Sequence, residues 1–94
     1  MTSVFRRDPE KARSILAKHG VSFEEAASAF RDALSVTVGD PLHSTDENRF
    51  VTMGRSERGR ALVVVHSDYG DSIRIISARI ATRRERKKYE EGTL

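Results

Sequence analysis

Residues 73–91 read IRIISARIATRRERKKYEE, and the change of pattern inside this stretch decides the fold class. Ile73-Arg74-Ile75-Ile76-Ser77-Ala78-Arg79 is a β-branched run that suits a pleated, half-buried strand. Thr82-Arg83-Arg84-Glu85 then has the Ser/Thr-x-x-Glu spacing of a capping box. The Thr82 hydroxyl is expected to accept from the N–H of Glu85, and the Glu85 carboxylate from the N–H of Thr82. A strand running into a helix is therefore predicted. Arg74, Arg79, Arg83, Arg84, Arg86, Lys87 and Lys88 all fall within this span. A cationic strand end leading into a cationic helix suits a polyanion, above all nucleic acid, although a solvated helix face accounts for the charge as well.

Upstream, Asp68-Tyr69-Gly70-Asp71 reads as a hairpin turn leading back to a strand over Ala61–His66. Residues 55–60 (RSERGR) form a second, Arg-rich turn, preceded by a strand over Arg49–Met53. Leu34–Val38 alternates at period two and is stopped by Gly39-Asp40-Pro41, within a polar loop of residues 39–48 that carries His43, Asp46 and Glu47. Strict alternation places Ile73, Ile75, Ser77 and Arg79 on one face of the last strand and Arg74, Ile76 and Ala78 on the other. Leu62, Val64 and His66 share one side of their strand, opposite Val63 and Val65.

Two helices come first. Asp8 is an N-cap with Pro9 at the first helical position, Ala12, Ile15, Leu16 and His19 recur at helical spacing, and Gly20 ends the run. Ser22-x-x-Glu25 is a second capping box, with Val21 stapled onto Ala26 and an apolar stripe of Phe23, Ala26, Ala27, Phe30 and Leu34. The order is α-α-β-β-β-β-α, an α+β fold with two N-terminal helices, a four-stranded, mostly antiparallel sheet and a C-terminal helix. Gly92-Thr93-Leu94 read as a disordered end.

The 94 residues suffice for a single domain, 1–94, and the net charge of +3 is unevenly spread. Residues 1–48 carry 6 Lys/Arg against 8 Asp/Glu, whereas residues 49–94 carry 11 against 6, which makes the second half the candidate contact surface. The absence of cysteine excludes disulfides and thiolate metal sites. Arg6, Arg7 and Asp8 follow too closely on Met1–Phe5 for a signal peptide, and the longest aliphatic run, Ala61–Val65, is too short for a bilayer. A cytoplasmic location is expected.

No P-loop, zincin helix or Gly-x-Ser-x-Gly elbow occurs. Gly54 and Gly59 are read as turn glycines. Asp40, Asp46, Glu47, Asp68 and Asp71 lie in turns, where Asp serves the backbone, so neither a metal nor another cofactor is expected. His19 suits the end of a helix and His43 a solvated loop. His66 ends the most apolar strand and is read two ways, as a strand-edge histidine or as a general acid or base in RNA cleavage. Arg79 leaves the last strand just before the helix cap, and a guanidinium there can hold a phosphate bidentately and stabilise a pentavalent phosphorane. Tyr89 shares a helix face with Arg86, and through it with Arg83. It can stack on a base, orient a proton or anchor the helix. Arg79, His66 and Tyr89 are thus the candidate catalytic residues, and Arg74, Arg83, Arg86 and Arg60 the candidate substrate contacts.

Lys18-His19-Gly20-Val21-Ser22-Phe23-Glu24-Glu25-Ala26, Arg74-Ile75-Ile76-Ser77-Ala78-Arg79 and Glu85-Arg86-x-x-Tyr89, in that order, resemble the BrnT family. Glu47-x-Arg49-Phe50 and Leu62–His66 fit it too, so the likeness runs from about Phe5 to Glu91. Family members often carry Trp where this chain has Arg7, and Asn at the position of Ile15. The resemblance implies a RelE-like fold and the toxin of a type II toxin–antitoxin pair, a metal-independent ribonuclease that inhibits translation. It further implies a BrnA-like antitoxin with a ribbon-helix-helix domain, a heterotetrameric complex, and operator DNA bound through the antitoxin. The implied chemistry has Arg79 stabilising the phosphorane, helped by Arg74 or Arg83, with His66 or Tyr89 moving protons. Two further readings stay open: a nucleic-acid-binding or operator-binding subunit without turnover, and an interaction module whose arginines dock an acidic partner.

Overall fold

Both helix-start signals that flank the chain operate as expected in the computed structural model, which describes residues 4–40 and 48–92. The Asp8 carboxylate accepts from the N–H groups of Glu10 and Lys11 and starts α1 (Pro9–His19), which ends where Gly20 turns left-handed at φ +67°. Thr82 and Glu85 form the full capping box of α3 (Arg83–Glu91). Gly92, expected in a disordered end, instead closes α3 in the left-handed conformation, its N–H bonded to the carbonyls of Lys88 and Tyr89. Thr93, Leu94 and the central part of the expected polar loop, residues 41–47 with His43, Asp46 and Glu47, lie outside the described residues.

The second capping box is only half made. Ser22 accepts from the N–H of Glu25, but the Glu25 side chain is drawn instead to Ser56 and Arg60. Helix α2 (Phe23–Ser28) is short and tightens into a 3-10 turn over Ala29–Arg31. Asp32 stops it: its carboxylate accepts from the N–H groups of Leu34 and Arg55 and draws the chain into the sheet. Leu34, expected on the buried stripe, is therefore 75% exposed.

Among the described residues the sheet has five strands rather than four, in the order β1-β5-β4-β3-β2. The additional strand, β1 (Val4–Arg6), lies parallel to β5 (Ser72–Ile80) with Phe5 opposite Ile73. Three residues are too few to show a period, and the partner strand is at the other end of the chain. Strands β2 (Val36–Gly39), β3 (Arg49–Arg55), β4 (Ala61–Tyr69) and β5 follow as antiparallel neighbours.

One irregularity changes which side chains share a face. Val65 pairs with Ser77 and His66 with Ile75, so Ile76 is an unpaired, bulged residue. The alternation expected for β5 is reset there. Ile75 and Ala78 join Leu62 and Val64 in the main core, under Ile15, Val21, Ala26 and Ala29 of the α1–α2 layer. Arg79 lies opposite Val63 and Arg74 opposite Ser67, both on the other face. There Tyr89 of α3 packs on Met53 and Val63 in a smaller cluster. Completely buried Leu62 and Val64 each stabilise the fold by about 1.5–3 kcal/mol.

Gly59 is a turn glycine as expected, at φ +79°, but Gly54 has a different reason. It lies in β3 where the 3-10 turn crosses, and a Cβ there would meet the Ala29 carbonyl oxygen at 2.5 Å.

Candidate active site

Arg79 occupies the α3-side face, where β5 approaches the helix start. Its Nη1 donates to Glu85 Oε1 at 2.7 Å and its Nη2 to Glu85 Oε2 at 2.9 Å. Glu85 Oε1 also accepts from the Thr82 N–H, so one carboxylate caps the helix and grips the arginine. The Arg79 bonds are the main reason the Glu85 carboxyl is pushed down to about 2, and Glu85 in turn raises the Arg79 pKa. The Arg79 side chain remains 42% exposed.

Cations flank it on two sides. Arg83, Arg84, Lys87 and Lys88, with Glu91, line an open depression on α3. Arg86 is also exposed and lies 3.6 Å from Glu90, one helical turn on. Across the sheet, Arg74 aligns with Arg6 of β1 on one side and Ser67 of β4 on the other, and Ser67 aligns with Arg49 of β3. An arginine row therefore crosses the same face. Arg6 and Arg49 were not candidates from sequence, because nothing short of strand order and the bulge connects them to Arg74.

Tyr89 is on this face too, but turned inward at 8% exposure. Its hydroxyl donates to Asp32, and the Arg55 guanidinium lies 6.0 Å from its ring centroid. Burial raises the Tyr89 pKa, and the Asp32 carboxylate adds to that. For Asp32 itself, burial works against ionisation, yet the bonds from Tyr89 and the Arg55 and Leu34 N–H groups outweigh it and lower its pKa. Asp32 and Arg55 escaped the sequence reading, since the contact that joins them to Tyr89 is long-range.

His66 is not brought together with Arg79 and Tyr89. It points to the opposite face with Leu62 and Val64, at 2% exposure. Nε2 lies 2.7 Å from the Thr52 hydroxyl and Nδ1 2.7 Å from Asp68 Oδ1. With Asp68 accepting, Nδ1 carries the proton and Nε2 accepts from Thr52, whose oxygen in turn lies 2.6 Å from the Thr37 hydroxyl. Phe30 meets the ring edge-on and Phe50 stacks on it. Burial lowers the His66 pKa, with Asp68 opposing.

Arg60, expected to touch substrate, has a structural partner instead. Its Nε and Nη2 donate to Glu25, a carboxylate 1% exposed, and Nη2 also reaches the Gly20 carbonyl at 3.0 Å. The pair ties the β3–β4 turn to the α1–α2 junction. Among the described residues, no group of three or more His, Asp or Glu side chains converges as metal ligands would.

Among the described residues the chain forms an α+β domain of three α-helices and a five-stranded sheet, with arginines gathered on the face away from its main core. The family described as the ribonuclease toxin BrnT of type II toxin–antitoxin systems matches residues 8–85. This chain belongs to that family, and membership implies an antitoxin partner. In structure the chain is similar to the Brucella abortus ribonuclease toxin BrnT, with a TM-score of 0.60 and 21% identity over 88% of this chain and 99% of that one. That likeness is one of fold. No curated protein matches the sequence. None of the described helices is long and apolar enough to cross a membrane.

Proposed function

We propose that residues 1–94 form a single toxin domain of RelE-like type that cleaves RNA without a metal ion, inhibits translation in the cytoplasm and is neutralised by a BrnA-like antitoxin. In the proposed reaction a ribose 2′-oxygen attacks the adjacent phosphorus, the P–O2′ bond forms and the P–O5′ bond breaks. The 2′-hydroxyl loses its proton and the departing 5′-oxygen gains one, leaving a 2′,3′-cyclic phosphate and a 5′-hydroxyl. Arg79 stabilises the charge on the phosphorane, and Arg74 and Arg83 hold the flanking backbone. Tyr89, whose hydroxyl is engaged by Asp32, anchors α3 on the Arg79 face, and His66, bonded to Thr52 and Asp68, supports the opposite face of the sheet, while protons exchange with solvent. The toxin and antitoxin form a heterotetramer that reaches operator DNA through the antitoxin.

The observation that carries this reading is the placing of Arg74 and Arg79 on one face, beside the cationic α3. A charge-bearing face of this kind supports binding and phosphorane stabilisation alike. Incubation of the purified protein with RNA in excess EDTA, with analysis of the cut ends, tests it. Cyclic phosphate ends that disappear in Arg79→Ala are expected. RNA left intact, with and without translating ribosomes, would point to a binding subunit without turnover.

A further inference from the structure

The way Glu85 holds Arg79 uses only one side of the guanidinium. Arginine has five N–H donors arranged as two forks, Nη1 with Nη2 at the tip and Nε with Nη2 along one edge. Glu85 takes the tip fork, at 2.7 and 2.9 Å. The second Nη1 hydrogen reaches the Ile80 carbonyl at 3.4 Å. The Nε–H and the remaining Nη2–H, which point the same way, have no partner among the described residues. We infer that Glu85 is the positioning residue of Arg79: it fixes the guanidinium by its tip and leaves the Nε–Nη2 edge to receive two oxygens of an RNA phosphate. The inference rests on the ribonuclease reading above.

The geometry separates this role from that of a competitor. A carboxylate competing with phosphate would occupy the Nε–Nη2 edge itself, whereas Glu85 takes the tip and that bidentate edge remains. The carboxylate is itself held by the Thr82 N–H, so the arginine is referred to the start of α3. An arginine fixed in this way has little reorganisation left to make when charge develops on the phosphorane, which is an effect on turnover more than on binding.

Glu85→Gln is the test, because Gln also serves at this capping position. An amide cannot accept at both ends, so the helix cap survives and the fork does not. Two readouts are paired. Steady-state RNA cleavage should show kcat lower by about 10- to 100-fold with KM changed by less than about threefold. The ¹⁵N order parameter of Arg79 Nε should fall from a rigid value of about 0.85 to below about 0.6. Thr82→Ala, which weakens the cap but leaves the fork, should lower the melting temperature and keep kcat. Wild-type kcat in Glu85→Gln, an unchanged Nε order parameter, or tighter RNA binding with faster cleavage would each overturn the inference. If wild-type protein cleaves no RNA, the ribonuclease reading falls, and the order parameter still decides whether Glu85 fixes Arg79.

Discussion

Arg74 and Arg79 stand on the same face of β5 although the step from one to the other is odd, because the bulge at Ile76 shifts the alternation by one. The shift adds the Arg74 charge to the face of Arg79. Arg74→Gln is expected to weaken RNA binding, to reduce the slope of log affinity against log salt by about 0.7, and to leave kcat unchanged. Binding titrations at several salt concentrations measure this, and an unaltered slope would remove Arg74 from the RNA path.

Arg60→Ala should behave as a folding variant. It leaves the Glu25 carboxylate buried with Ser56 and the more distant Arg58 as its remaining polar neighbours. Removing one partner of a buried pair costs far more than the pair contributes. A melting temperature lower by about 5 °C or more is expected, with RNA affinity per folded molecule unchanged. Calorimetry beside a binding assay separates the two.

Stability should fall in two stages on acidification. His66 is held below its ordinary value of 6.5, so as pH drops through 6.5 the unfolded chain takes up this proton first and stability begins to decline. Glu85, ordinarily near 4.5, is held at about 2, so its contribution is complete above about 4.5 and is lost as pH falls toward 2. Urea unfolding across this range should show the lower stage reduced in Glu85→Gln and the upper stage reduced in His66→Gln.

Tyr89→Phe keeps the ring on Met53 and Val63 but removes the bond to Asp32. A loss of about 1–2 kcal/mol is expected, with turnover retained. Turnover slowed by about two orders of magnitude or more, at intact stability, would instead make the hydroxyl a proton carrier.

Gly54→Ala drives a methyl group into the Ala29 carbonyl, a backbone atom that cannot swing aside. Overpacking of this kind should cost about 1–3 kcal/mol, visible as a lower urea midpoint at unchanged slope.

The elements legible in the sequence are those set by short-range chemistry. The Asp8 and Thr82 caps, the left-handed Gly20 and the apolar run of β4 each act through neighbours within a few residues. What was not legible depends on partners far along the chain. Glu25 has the spacing of a capping box, but Arg60 outbids the helix end for its carboxylate. Asp32 looks like an ordinary turn residue until Tyr89 and Arg55 converge on it. The Ile76 bulge is invisible without the strand paired to it, and with it the common face of Arg74 and Arg79. His66 shares a strand side with Leu62 and Val64 in sequence as in structure, but which side faced the arginines required the tertiary fold.

The parallel pairing of β1 with β5 also bears on when the folded domain can first exist. Val4–Arg6 is made before all the other described elements, yet its partner comes after all of them except α3. The sheet edge beside β5 is therefore completed only once the strands between have been made, and Arg79 and α3 arrive with it. A chain interrupted before β5 lacks both this strand pair and Arg79, so completing the edge of the sheet and supplying the guanidinium of the proposed site are one event.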